Sequence, residues 1–416
     1  LAAGGAILPE HDLVVVDEAH QLEDVVSDTA GYELSAGRFT NLARSIRAIL
    51  DDPAAIDDVE TSGNLLSAVL ADHVDRRLRG ALPDEVSDAL GLIRSRLDRV
   101  MASLRNIPDG APDDVKVRKE RAVQLTTSVM TDVAGASEVP DTSVAWVEGP
   151  AHHPKLCVAP LDITDLLRDE LWAKTTAVLT SATLPPGLDE RVGLASGDHD
   201  VLDVGSPFDY EHHALLYCAA QLPDPRSAAF DPAVHDELRA LIGAAGGRTL
   251  ALFTSYRAMD AAVEALRGQL PGPLLCQRDL PKPALIGAFA EDESASLFAT
   301  MGFWQGIDVP GRTLSLVTID RLPFPRPDEP LLQARREQAK ADAFRLIDLP
   351  RTATMLAQGA GRLIRSASDR GVVAVFDPRL ATAKRYRWTL VEALPPMRRT
   401  KDRAEAESLL QAIAAQ

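Results

Sequence analysis

Short β-branched apolar runs, separated by longer stretches with helical spacing, set the pattern of this chain. Leu13-Val-Val-Val16 is too brief for a helix and reads as a central parallel strand buried on both faces. From about Tyr32 to Val139 strand-like runs disappear. Ala, Leu, Arg and Asp recur there at helical spacing, punctuated at Pro53, Gly63, Gly80, Pro83 and Pro108, which predicts a helical insertion over residues 32–139. Strand-like runs resume at Thr176–Thr180, Thr249–Phe253, Ser296–Thr300, Leu314–Ile319 and Gly371–Phe376. Helical patterns at Tyr256–Leu270 and Leu331–Leu346 lie between them. Strands alternating with helices predict parallel α/β layers. The boundaries drawn from this pattern are a first α/β domain over 1–31 and 140–213, the insertion over 32–139, and a second α/β domain over 214–416.

Composition narrows the class. The 416 residues give room for two or three cores, and the apolar share of 46% is ordinary for a globular protein. No stretch approaches the roughly 18 unbroken apolar residues of a membrane span, and the start lacks a secretory pattern. A membrane role is not expected, and the chain reads as cytoplasmic. Because it begins with Leu1 rather than Met, sequence is expected upstream. Cys157, Cys218 and Cys276 lack the close spacing of a metal knuckle or redox motif and read as reduced thiols. A net charge of −17 argues against a protein that coats nucleic acid nonspecifically, yet residues 351–403 hold twelve Lys and Arg against four Asp and Glu. That local excess fits either a phosphate-binding face or a solvated helix surface.

Four segments carry candidate chemistry. Asp17-Glu-Ala-His20 leaves the carboxyl end of an apolar strand, the sheet edge where ligands bind. There Asp17 is placed to hold a magnesium ion and Glu18 to orient water, unless the segment merely opens a helix. Thr180-Ser-Ala-Thr-Leu184 also follows a strand; hydroxyls at Thr180, Ser181 and Thr183 either bond the neighbouring acidic segment or cap turn backbone. Gly302-Phe-Trp-Gln-Gly-Ile-Asp308-Val-Pro-Gly311 follows Thr300. Gly306 would allow close backbone approach to a ligand, Asp308 offers a carboxylate to a ribose or an arginine, and Trp304 stacks on a base or packs in the core. In Gln358-Gly-Ala-Gly-Arg362-Leu-Ile-Arg365 the offsets of four and three put Gln358, Arg362 and Arg365 on one helix face, suited to the charge of a transferring phosphoryl group. Thr254 and Ser255, closing another strand, either hold a nucleic-acid phosphate or cap a helix.

In this order the four segments resemble motifs II, III, V and VI of superfamily 2 helicases. The wording of residues 302–311, followed by Asp320-Arg-Leu-Pro-Phe-Pro325, is similar to the DinG branch of the XPD-type iron–sulfur DNA helicases. The resemblance implies two RecA-like P-loop NTPase motor domains with parallel sheets and an all-helical, Arch-like insertion in the first. It also implies an ATP-dependent, magnesium-dependent enzyme moving 5′ to 3′ on single-stranded or forked DNA in repair and replication; no oligomer is implied, and a monomer is expected. Asp17 and Glu18 would be the Walker B pair, His20, Thr180, Ser181 and Thr183 coupling residues, and Gln358, Arg362 and Arg365 nucleotide contacts. Thr254, Ser255 and Trp304 would meet nucleic acid.

Two family features do not occur. The sequence holds no Gly-x-x-x-x-Gly-Lys-Ser/Thr; its nearest echo, Gly243-Ala-Ala-Gly-Gly-Arg-Thr249, is one residue short with Arg in place of Lys. The four cysteines that hold the family's iron–sulfur cluster are also absent. The chain alone is therefore expected to have little or no activity and to hold no cluster, although the full-length protein would hydrolyse ATP and could carry one. The alternatives are a non-catalytic nucleic-acid-binding module using residues 351–403, and a DEAH-type RNA helicase.

Overall fold

The computed structural model describes residues 11–108, 112–300, 303 and 314–416. They form two compact units. The first comprises residues 1–180, 187–199 and 327–340, and the second residues 181–186, 200–326 and 341–416.

In the first unit β1 (Leu13–Val16) is followed by β2 (Tyr32–Ser35), β3 (Arg76–Leu78), β4 (Ser143–Glu148), β5 (Lys155–Pro160) and β6 (Thr176–Leu179). β1 pairs β6 in parallel, Val16 beside Leu179. The expectation that β1 is buried on both faces does not hold. Leu13 and Val15 are 54% and 59% exposed, because only one face of this two-stranded sheet is covered by described residues. That face packs Val16 and Leu179 on Leu22, Val26, Ile163, Leu167, Leu188 and Val192.

Residues 32–139 hold the predicted helices, Ala36–Arg47, Pro53–Leu70, Asp84–Arg105 and Asp113–Ser137. Asp52 caps the second of these, accepting from Ala55 N at 3.1 Å just ahead of Pro53. The insertion is not all-helical, however. β2 and β3 are the edge strands of a four-stranded antiparallel sheet, order β2-β5-β4-β3, completed beyond residue 139. Both edges are too short and polar to show a period of two. The helices pack on this sheet through Leu34, Phe39, Ile46, Leu66, Ile93, Leu97, Val129 and Val147. The backbone of Gly135 lies against the Tyr32 ring so closely that a Cβ would come within 2.3 Å of it.

The helix read over Leu331–Leu346 ends early. It spans Pro330–Ala339 and stops where Lys340 turns to φ 49°; a π-helical turn, Phe344–Asp348, follows. The Pro330–Ala339 helix belongs to the first unit, where Leu331 and Ala334 pack on Val144, Ala159 and Leu161.

The second unit is built on a seven-stranded sheet of β7 (Ala214–Cys218), β8 (Thr249–Phe253), β9 (Leu274–Cys276), β10 (Ser296–Thr300), β11 (Leu316–Ile319), β12 (Gly371–Val375) and β13 (Arg398–Thr400). Its order is β13-β7-β12-β11-β8-β10-β9, every pair parallel. Both faces are covered, as the continuous apolar strands require. Leu216, Leu250, Leu252, Leu297, Val317 and Val373 face one core, and Leu215, Tyr217, Ala251, Phe298, Leu316 and Val372 the other.

Candidate functional site

In the first unit the chain leaves β1 straight into Asp17. Asp17 Oδ1 accepts hydrogen bonds from Glu18 N and from Thr180 Oγ1, both at 2.9 Å, and Thr180 itself follows β6. Two backbone bonds lock the same junction: Ala19 N donates to Thr180 O and Thr180 N to Val16 O, each at 2.9 Å. Parallel pairing of β1 with β6 thus brings Asp17 and Thr180 together across 163 positions of sequence. Asp17 Oδ2 accepts no hydrogen bond among the described residues.

Glu18 adopts φ 54°, ψ 42°, a left-handed conformation that a non-glycine residue enters at a cost of about 1–3 kcal/mol, and such positions cluster at functional turns. The turn swings the Glu18 side chain to 53% exposure beside His20, whose Nδ1 lies 3.4 Å from Glu18 Oε2. Burial pushes the His20 pKa below its ordinary value, against the opposing pull of Glu18 and Asp24. Burial thus favours the neutral form of the His20 imidazole.

The helix that follows, Leu22–Thr29, carries Glu23 and Asp24 in its first turn, where carboxylates favour the positive helix end. It is pinned from the Pro330–Ala339 helix by Arg335. That side chain is 7% exposed, with Nη1 2.8 Å from Glu23 Oε1, Nη2 donating to Ser27 Oγ at 2.7 Å and Nε donating to Leu161 O at 3.0 Å. Arg191 Nε completes the pairing of Glu23 at 3.0 Å. Sequence reasoning missed Arg335, which lies in an ordinary-looking helix.

In the second unit the residues expected at motif VI do not share a helix face. The helix Leu349–Ala360 carries Gln358 in its last turn, but ends at Ala360, and Arg362 and Arg365 lie in the irregular segment beyond it. Two causes end it. Gly361 is a poor helix former, and Asp369 collects the backbone ahead of it: its carboxylate accepts from Arg365 N and Ser366 N at 2.8 Å and from Ser366 Oγ at 2.7 Å. Gln358, Arg362 and Arg365 are all half-buried.

Ser255 caps the helix Tyr256–Leu266, its hydroxyl accepting from Ala258 N at 3.2 Å. Thr254 N donates at 2.8 Å to Asp320, whose carboxylate also accepts from Arg321 N at 2.7 Å. Asp320 is deeply buried at the end of β11, and burial pushes its pKa up to about 7 against these hydrogen bonds. Asp377, ending β12 and fully buried, accepts from Leu322 N at 3.0 Å and pairs with Arg379 Nη2 at 2.6 Å. The two carboxylates clamp the Asp320-Arg-Leu-Pro-Phe-Pro325 segment from both sides. Ser181 and Thr183 form a local turn, Ser181 Oγ donating to Thr183 O at 3.0 Å. Trp304, Gly306 and Asp308 lie outside the described residues.

A family model described as a helicase C-terminal domain matches residues 238–397, a span that takes in β8 to β12 of the second unit and the Pro330–Ala339 helix of the first. The ATP-dependent helicase DinG of Mycobacterium tuberculosis (strain ATCC 25618 / H37Rv) is 41% identical over 99% of this chain and 64% of its own length. The ATP-dependent DNA helicase YoaA of Escherichia coli K12 is 32% identical over 98% of this chain and 66% of its own. The chain belongs to the DinG family of helicases. It spans about two thirds of the length of these relatives, 64% and 66%. The S. tokodaii Xpd4 structure shares the fold at a TM-score of 0.61 and 16% identity, covering 93% of this chain and 75% of its own. An XPD helicase structure does so at 0.59 and 16%, covering 93% and 68%. The parallel α/β sheets are those of RecA-like domains.

The donor set at the end of β1 fits a hydrated magnesium ion: Asp17 presents a hard carboxylate oxygen, Oδ2, with its other oxygen already bonded. A phosphate cradle is not found in the Gly243–Thr249 echo. It joins a helix to β8, the reverse of the strand-to-helix order a P-loop needs, and Gly246 closes that helix at φ 67°. The cysteines do not fit an iron–sulfur cluster. All three are buried on separate strands, with burial raising the Cys157 thiol to about 12 and that of Cys218 to about 11.

Proposed function

We propose that this chain supplies the magnesium-binding, coupling and arginine elements of an ATP-driven DNA helicase. The observation that carries the reading is the hydrogen bond from Thr180 to Asp17, which ties the acidic end of β1 to the hydroxyl end of β6. Asp17 would hold the hydrated magnesium ion, which when bound neutralises charge on nucleotide phosphates. Glu18, turned out to solvent by its left-handed backbone, orients and deprotonates the attacking water. His20 and Thr180 keep the two carboxylates in register, with Ser181 and Thr183 shaping the turn that follows. Gln358, Arg362 and Arg365 contact the nucleotide, the arginines offsetting charge that develops on the transferring phosphoryl group. Gly306 and Asp308 would line the same nucleotide, and Thr254, Ser255 and Trp304 a single strand of DNA.

In this reading the protein moves 5′ to 3′ on single-stranded or forked DNA, acts as a monomer in the cytoplasm, and serves repair and replication. Among the described residues no helix is long and apolar enough to cross a membrane. The chain alone, with no phosphate-binding loop in its sequence, turns over little or no ATP.

The decisive experiment measures DNA-stimulated ATP hydrolysis by a longer form of the protein that includes a phosphate-binding loop, beside its Glu18→Gln variant. Turnover that the variant abolishes is the expected result. No turnover with an intact loop would instead favour a non-catalytic binding module, and stimulation by RNA over DNA would favour an RNA helicase.

A further inference from the structure

We propose that the second unit carries a nucleobase-stacking platform made of Phe324, Phe344 and Tyr386 and rimmed by arginines. It rests on the nucleic-acid reading above and adds to it a site outside the four segments that resemble motifs II, III, V and VI. The three rings form a closed set: Phe344 lies 5.3 Å from Tyr386 and 5.8 Å from Phe324, and Phe324 meets Tyr386 edge-on at 5.9 Å. Phe324 and Tyr386 are half-buried, whereas Phe344 is 41% exposed at the start of the π-helical turn Phe344–Asp348. Irregular turns of this kind recur at functional sites.

The set is braced rather than loosely gathered. Arg379 lies over the Phe324 ring at 5.4 Å, and its guanidinium is fixed by a forked pair of bonds to the buried Asp377, 2.9 Å from Nε and 2.6 Å from Nη2. Phe324 is held in turn by the Leu322 N to Asp377 bond two residues before it. A partly exposed aromatic ring on a rigid support presents a π-face to a flat ligand at little cost in conformational entropy.

Charge selects the ligand. Lys384 and Arg385 are exposed directly before Tyr386, and neither pairs with a carboxylate among the described residues. Two residues on, Trp388 is 52% exposed and lies under Arg387 at 5.0 Å and Arg399 at 5.9 Å, a second ring set among cations. Exposed rings beside Lys384 and Arg385, whose charge no carboxylate among the described residues offsets, fit a single-stranded nucleic acid, whose bases are free to stack and whose phosphates need the cations. A duplex hides its base faces, and an acidic protein segment would use the cations without needing the rings.

The test uses this chain and two dye-labelled oligomers of equal length and charge, one of thymidine and one of abasic sites, with binding read by fluorescence anisotropy. The unsubstituted chain is expected to prefer the thymidine oligomer. Phe344→Ala, at an exposed position, is expected to lose roughly tenfold in affinity for it and none for the abasic one, the scale of a single stacked base. Phe344→Tyr, which keeps the ring, should restore the preference, and Lys384→Ala with Arg385→Ala should weaken both oligomers alike. Unchanged preference in Phe344→Ala, with an unchanged melting temperature, overturns the platform while leaving the nucleic-acid reading in place. Binding of neither oligomer at low salt overturns both.

Discussion

Arg335 and Glu23 meet at 2.8 Å inside the first unit, joining the helix that follows the acidic turn to a helix more than three hundred residues further along the chain. Both side chains are nearly buried, at 7% and 11% exposure. Removing one partner of such a pair strands the other charge, at a cost of about 3–5 kcal/mol; Arg191, which also reaches Glu23, holds the loss near the lower end. Arg335→Met should therefore lower the melting temperature sharply, and Glu23→Leu added to it should recover part of the loss. A double-mutant cycle in denaturant measures this, and purely additive losses would sink the account.

Thr180→Val separates function from stability. The Thr180–Asp17 bond is exposed, so the substitution should change unfolding free energy by no more than about 0.5 kcal/mol. A hydrogen bond to a charged carboxylate that orients a metal ligand is worth more at the site, and turnover by a form able to hydrolyse ATP should fall by roughly three- to tenfold. Steady-state rates at saturating magnesium and DNA provide the comparison. Equal rates would leave Thr180 a structural tie and no coupler.

Asp320 makes a pH signature. Its folded pKa is raised by burial to about 7, whereas in the unfolded chain a carboxyl ionises near 4. Below about pH 4 both states are protonated and the contribution to stability is complete; as pH rises toward 7 the unfolded state gives up its proton first, and that contribution is lost. Asp320→Asn keeps an oxygen for Thr254 N and Arg321 N and does not titrate. The stability of the unsubstituted protein relative to this variant should thus decline between about pH 4 and pH 7. Denaturant midpoints at several pH values test it, and a flat difference would refute the buried protonated acid.

Much of this was legible in the sequence, and the misses have physical causes. Apolar runs ending in Asp17, Thr180, Phe253 and Thr300 marked strand ends correctly because a parallel strand reads as a short unbroken apolar run, although β1 and β6 turn out to be covered on one face only by the described residues. The same signal, a buried run ending in an acid, also stands at Ile319-Asp320 and Phe376-Asp377 and would have flagged both clamps. Edge strands β2 and β3 were invisible because four and three residues with mixed polarity carry no period. The three-residue face shared by Gln358, Arg362 and Arg365 failed because offsets of three and four mean one face only while the helix lasts, and Gly361 and Asp369 end it. No local pattern could have revealed Arg335, whose partners are far away in sequence.

Asp369 is the residue on which the conformation of the arginine segment depends most. It is 6% exposed and takes two backbone N–H groups and one hydroxyl, so Asp369→Ala leaves the amides of Arg365 and Ser366 without their acceptor. Each stranded donor, part-buried here, costs toward the lower end of about 1–3 kcal/mol, and the variant should lose about 2 kcal/mol of stability. Asp369→Asn keeps one oxygen for the two amides and should recover most of it. If Arg365 acts on the phosphoryl group, the Asn variant will still hydrolyse ATP more slowly at unchanged nucleotide KM, because the backbone that aims the arginine is held less tightly while ground-state binding is untouched. Full activity in Asp369→Asn, together with full activity in Arg365→Lys, would remove Arg365 from the catalytic set and leave this corner of the fold purely structural.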